Sequence, residues 1–383
     1  MKKKYTLLFS LYQAIYALIL LPFFAYGTYY LIHLGLNNVT IGIILASANG
    51  IAVLAQSPMA SLADKNILRL EDLLGISLSI FILAGVGLVL GYFPLFFYPL
   101  ALISLYLLNP LLNSLNVEWN HSGHNVDFGV AKGVSSLSYA FFSLLIGKLL
   151  ISTSPKILPY TATLGGMVLL FFIWKNRTPK AIKKEVEIKK ERISLLKKMP
   201  SLIGLLLGIS MVYANYSMYN SYLIHTIRSL GGKESSLGIA VAIAALSEVP
   251  IMVFFTPIMK KFQLKNLLVA SAFFFTLKTL IAYLAQGMFM LYLAQFLQML
   301  SFGLYIPTSV YYMASISTKD NRAEAQASIT GAAILGSLFA SILGGTLIQY
   351  RGISTMLLVA TLLSACGAVL IYIFSERISH EEK

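Results

Sequence analysis

Five ionisable side chains lie in or at the edge of long apolar runs: Glu118, Lys132, Lys148, Glu248 and Lys278. Glu248 is the sharpest case, because the run from Ser235 to Met259 holds no other charge. If such runs cross a bilayer, each charge at the centre costs roughly 2.5 to 3.5 kcal/mol on insertion scales and needs compensation. A carboxylate and an ammonium facing each other offset both costs. A carboxyl that is neutral in one state and ionised in another can also carry a proton. Glu248 and Lys278 each fall near the middle of their run, so a mutual ion pair is expected, either to handle a proton or solute or as a bridge that fixes helix packing. Lys148 stands near a run's end, where its stem can reach the headgroups, and is given no functional role.

A second group is formed by Glu118, Lys132 and Tyr139. Glu118 ends one run and Lys132 begins the next after the loop WNHSGHNVDFG, so the two are expected to meet across a helical hairpin. Tyr139 follows Lys132 by seven residues, two helical turns, and shares its face. An aromatic ring beside a charged pair suits a sugar, with the ring covering the C–H face and the charges binding hydroxyls. Tyr139 is also one of 22 tyrosines, and packing explains it as well. Asn215 and Asn220, with Ser210, Tyr213, Tyr216, Tyr219 and Tyr222, interrupt another run and are further candidates for solute contact, while some must simply satisfy one another across helices. Asn49 and Asn113 are weaker candidates. His121 and His124, three apart in a polar loop, read as solvated rather than as a metal pair. Cys366 is the single cysteine, so no intrachain disulfide or cysteine metal cage can form.

What must position these groups follows from composition. Of 383 residues, 57% are hydrophobic and 11% charged, with a mean hydropathy of +0.77, far too apolar for an ordinary soluble domain. A helix needs about 20 residues to cross roughly 30 Å of hydrocarbon, and backbone polar groups must be satisfied within each span, so the spans are helices. Twelve are expected, at about 7 to 31, 39 to 63, 73 to 93, 95 to 118, 129 to 151, 157 to 174, 202 to 228, 235 to 259, 265 to 286, 288 to 316, 322 to 350 and 353 to 374. The first apolar stretch is long and lacks a small-x-small cleavage pattern, which reads as a retained helix rather than a removed signal. With twelve spans, the face bearing both termini carries 22 of the 29 lysines and arginines, so the N- and C-termini are expected in the cytoplasm of a multi-pass cell-membrane protein. The net charge of +14 follows from that topology and from attraction to anionic lipid, not from nucleic-acid binding.

The polar connection KNRTPKAIKKEVEIKKERISLLKKM, residues 175 to 199, divides the chain into bundles 1–174 and 200–383 of six spans each. LGLNNVTIGI at 34 to 43 aligns with LGGKESSLGI at 230 to 239, and Ser57-Pro58 answers Thr256-Pro257, so the halves read as a duplication. QSPMASLADK, with Gln56, Pro58, Leu62, Asp64 and Lys65, resembles the loop signature of the major facilitator superfamily, with Ala60 where Gly is usual. The resemblance implies an all-α membrane fold of two pseudo-symmetric six-helix bundles that rock about a site near the midplane. It also implies that Asp64 and Lys65 form a conformational latch.

The order Glu118, then DFGVAK from Asp127 to Lys132, then Tyr139, resembles the oligosaccharide:proton symporter branch of that superfamily, as does Glu248 before VFFTP at 253 to 257. That branch carries arginine where Lys132 and Lys278 stand, and a lysine lacks the bidentate fork. Span ten departs further: FGLYIP, Phe302 to Pro307, has neither the histidine nor the acid of the branch. The resemblance implies a secondary transporter of a small polar organic solute, a sugar or oligosaccharide, driven by a proton gradient and needing no cofactor. Glu118, Lys132, Tyr139, Glu248, Lys278, Asn215 and Asn220 would then contact substrate, and Glu248, then Glu118, would carry the proton. A monomer with an internal site needs no second copy. An exporter of drugs or aromatic or organic acids uses the same fold, and a non-transporting sensor is a further alternative. No nucleotide loop or metal cluster points to an enzyme.

Overall fold

The computed structural model describes residues 2–64, 67–124, 126–177, 199–318 and 321–381. All secondary structure there is helical, and twelve helical stretches are long and apolar enough to cross a membrane, so the twelve-span expectation is borne out. The chain forms two compact units, residues 1–36 with 43–187 and residues 37–42 with 188–383.

The first unit is built on α1 (Lys2–Phe24), α2 (Gly27–His33), α3 (Asn38–Asp64), α4 (Leu70–Leu90), α5 (Pro94–His121), α6 (Phe128–Leu149) and α7 (Ile157–Lys175). The ends are set by local chemistry. Asp127 precedes α6 and its carboxylate accepts from the Val130 N–H at 3.0 Å, satisfying a free first-turn donor. Glu71 and Asp72 open α4, where the helix dipole favours acids, and Asp72 pairs with Arg177 just past the end of α7.

The second unit holds α8 (Ser201–Ser221), α9 (Leu223–Ser229), α10 (Glu234–Lys261), α11 (Leu264–Leu284), α12 (Met288–Phe296), a 3-10 turn (Leu297–Met299), α13 (Phe302–Ser315), α14 (Arg322–Arg351) and α15 (Ile353–Glu381). Its helices cross on small residues: a Cβ on Gly208 would stand 2.8 Å from the Gly367 carbonyl oxygen, and one on Gly367 would stand 2.6 Å from that of Gly208. Only glycines let α8 and α15 approach so closely.

Three of the expected continuous spans are broken. Spans one and seven bend at Tyr26 and Tyr222, giving α2 and α9, and span ten bends at the 3-10 turn. The first two breaks are the same device used twice. Tyr26 donates to the Ser143 carbonyl at 2.9 Å and Tyr222 to the Ser341 carbonyl at 2.8 Å, and both tyrosines are fully buried. Gly35 and Gly231 close the short helices at φ +79° and +77°, with Leu36 N–H on Leu31 O and Gly232 N–H on Ile227 O. A left-handed residue of this kind ends a helix by capping its last carbonyls, and glycine takes it without strain. The sequence duplication is therefore also a duplication of backbone geometry.

Candidate functional site

The membrane charges of the second unit come together on three elements. Glu248 on α10 accepts from the Gln298 side-chain amide at 2.8 Å, and the carbonyl of the same amide accepts from the Lys278 ammonium on α11. The expected direct pairing of Glu248 with Lys278 is thus replaced by a line of three groups with a neutral amide in the middle. Lys278 is 2% exposed, and its ammonium also stands 4.8 Å from the centroid of the Tyr219 ring on α8. Hydrogen bond and ring face together offset the desolvation of a charge that burial alone would not tolerate. Glu248 is the less buried end of the line.

Aromatic side chains line the neighbourhood. Tyr216 and Phe302 stack at 4.7 Å, and Tyr305 packs edge-on against Tyr213 at 5.2 Å. Tyr213 also interacts electrostatically with Glu248. Asn215 lies in the same region but is 1% exposed, donating to the Phe275 carbonyl at 3.2 Å and accepting from Thr279 at 2.8 Å. Its amide is a tie between α8 and α11. Asn220, half-buried, donates to the Tyr216 carbonyl one turn back at 2.8 Å.

In the first unit Lys132 turns toward α1. Its ammonium donates to Gln13 at 3.3 Å and lies 5.3 Å from the Phe128 ring. Ser135, a turn further along α6, donates to the backbone carbonyl of Gln13 at 3.3 Å. Gln13 is 1% exposed and its amide nitrogen has no partner among the described residues. Where the hairpin spacing pointed to Glu118 as the lysine's partner, the polar contact made is with Gln13. Glu118 and Tyr139 are both half-buried. Lys148 is exposed at the last turn of α6, as snorkelling requires.

Three residues that sequence reading missed therefore matter most: Gln298, Tyr219 as a cation face, and Gln13. A glutamine near the middle of an apolar span was the available signal, since an amide there also needs a partner. His124 stacks on Tyr5 at 4.0 Å, and among the described residues no group of three His, Cys, Asp or Glu is placed to hold a metal. Asp64 is the last residue of α3, and Lys65 lies outside the described residues. An apolar cavity of about 250 Å³ in the first unit, lined by Met59, Leu62, Leu73, Ile80, Leu100 and Leu107 among others, has almost no polar surface and does not suit a polar solute.

Residues 4–359 match the MFS_1 like family. Over 151 residues the chain is 28% identical to the uncharacterized transporter YwbF of Bacillus subtilis (strain 168), covering 39% of this chain and 37% of that protein. Over 183 residues it is 27% identical to a maltose permease of Geobacillus stearothermophilus, covering 47% and 46%. Each match spans less than half of the curated relative's length. Among solved structures, a variant of the nucleoside transporter NupG superposes with a TM-score of 0.82 at 15% identity, over 97% of this chain and 99% of that one. The D-xylose-proton symporter superposes with a TM-score of 0.75 at 14% identity, over 96% and 97%. These relatives are named as transporters, not enzymes, and at such identities the structures speak for the fold alone. The resemblance to the major facilitator superfamily is borne out: with a match over nearly its whole length, the chain is a multi-pass membrane protein that belongs to the MFS_1 like family.

Proposed function

We propose that the protein is a secondary active transporter that moves a small polar organic solute, a sugar or oligosaccharide, by proton-coupled alternating access. The observation that carries this reading is the Glu248–Gln298–Lys278 line: a partly exposed acid near the middle of a span, backed by a buried cation and flanked by aromatic faces. Such an acid can exchange a proton, and the rings beside it offer C–H contact to a sugar. The names of the maltose permease and the D-xylose-proton symporter agree in solute class. Glu118, Lys132 and Tyr139 are proposed to contact the solute from the first unit, and the lysine and arginine distribution supports cytoplasmic termini and a cell-membrane location. Asp64 and Lys65 are proposed as the latch.

Purified full-length protein in proteoliposomes tests this directly. An inward proton gradient should drive accumulation of maltose or D-xylose, and addition of the solute should alkalinise the outer medium. Absence of both effects across a panel of sugars and nucleosides would refute the reading. A second reading, export of aromatic or organic acids, is favoured by lysine at both basic positions, 132 and 278, and by the aromatic pairs near Glu248. Counterflow of benzoate-type acids in the same vesicles separates the two.

A further inference from the structure

Span ten bends where it meets the charged line. α12 ends at Phe296, the 3-10 turn carries Gln298, and Ser301 leaves helical geometry at φ −87° and ψ −90° before α13 begins. The Ser301 hydroxyl donates to the Leu297 carbonyl at 3.0 Å, closing the turn. Gln298 is 4% exposed. Beyond the bend, Gly303 lies against the acid, since a Cβ there would stand 3.4 Å from both Cα and Cγ of Glu248. Glu248 therefore meets span ten at the turn and again just beyond it.

We propose, resting on the transporter reading above, that Gln298 is a positioning residue that couples the charge on Glu248 to the bend of span ten. With the carboxylate ionised, the amide is held at both ends. Lys278 has only donors to offer, so the amide oxygen faces it and the amide nitrogen must face Glu248. Both bonds are charge-assisted, and neutralising Glu248 removes that assistance from one of them. The turn is then held less tightly to α10 while remaining tied to α11. A direct Glu248–Lys278 contact would have bound α10 to α11 alone; an amide placed between them brings the hinge of span ten into the circuit. Among the described residues, the other titratable groups facing this pair are Tyr213 and Tyr219 of α8, and Tyr305 of α13 through Tyr213. Arg228 of α9 is taken up by Glu234 at the start of α10.

The test uses the full chain with Cys366→Ser, and with Leu293→Cys and Val310→Cys, exposed positions on either side of the bend, carrying spin labels. Reconstituted in lipid vesicles, its label-to-label distance distribution is read by double electron–electron resonance at mildly acidic and mildly alkaline pH. The distribution should change with pH in the otherwise native protein, and Glu248→Gln should hold the acidic distribution at both. Gln298→Met and Gln298→Leu, each of which removes both bonds, should lose the response by about tenfold, the scale of the charge-assisted bond to Glu248. Gln295→Met is the control, because Gln295 is buried beside the same bend with neither amide atom partnered among the described residues, and it should respond like the parent. The inference is overturned if the parent shows no pH response, if both Gln298 variants respond as the parent does, or if Gln295→Met loses the response equally. A parent that responds to pH yet accumulates no solute would sink the transporter reading and leave this coupling standing.

Discussion

The ammonium of Lys278 stands 4.8 Å from the ring centroid of Tyr219, and the hydroxyl of that ring is buried without a partner among the described residues. The ring is there for its face. Tyr219→Phe keeps the face and removes a stranded hydroxyl, so its thermal stability in detergent should equal or exceed the parent's. Tyr219→Leu loses the cation contact and should cost about 1 to 2 kcal/mol. Equal losses in the two variants would show that the hydroxyl, not the face, is what stabilises.

Glu248 and Lys278 belong to one network, so their substitutions should not add. Lys278→Gln removes the buried cation and leaves the acid without its counter-charge, a defect of roughly 3 to 5 kcal/mol when one partner of a buried pair is deleted. Glu248→Gln strands the lysine in turn, abolishing uphill accumulation while leaving solute exchange. The double variant should be more stable than the sum of the two by about 1 to 3 kcal/mol, as expected of coupled neighbours. Strict additivity in chemical denaturation would mean that the amide does not transmit between them.

Tyr26→Phe and Tyr222→Phe delete equivalent hydrogen bonds in separate units. Each should lower stability by about 1 kcal/mol, somewhat more if the Ser143 or Ser341 carbonyl is left without another donor. Because the sites share no partner, the losses should sum to within about 0.5 kcal/mol in thermal unfolding. A large excess in the double variant would reveal that the two bends are cooperative.

Much of the fold was legible because the bilayer leaves few choices. Runs of some 20 apolar residues must be helices, and all twelve appear, ten of them within a few residues of their expected bounds and spans one and seven ending about seven residues early at their breaks. The bends at Tyr26 and Tyr222 were not legible, since hydropathy runs on unbroken through both and the hydroxyl buried at each break reaches a carbonyl more than a hundred residues away. The aligned LGLNNVTIGI and LGGKESSLGI segments nonetheless marked the turns that follow them, because a glycine of positive φ is needed at the same register in each.

The site was legible in kind but not in wiring. That Glu248 and Lys278 needed each other's neighbourhood followed from the cost of burying charge, which depends only on residue type and place in a span. Which atoms meet depends on how helices rotate and where span ten bends, and neither is encoded in spacing along one helix. So the amide of Gln298 entered between the charges, Asn215 was drawn into a tie between α8 and α11, and Lys132 found Gln13 on α1. The sequence by itself determined a twelve-span duplicated membrane protein with acids and lysines in its spans; only tertiary packing decided their partners, because hydrogen bonds are satisfied by whatever donor or acceptor the close approach of helices brings within about 3 Å.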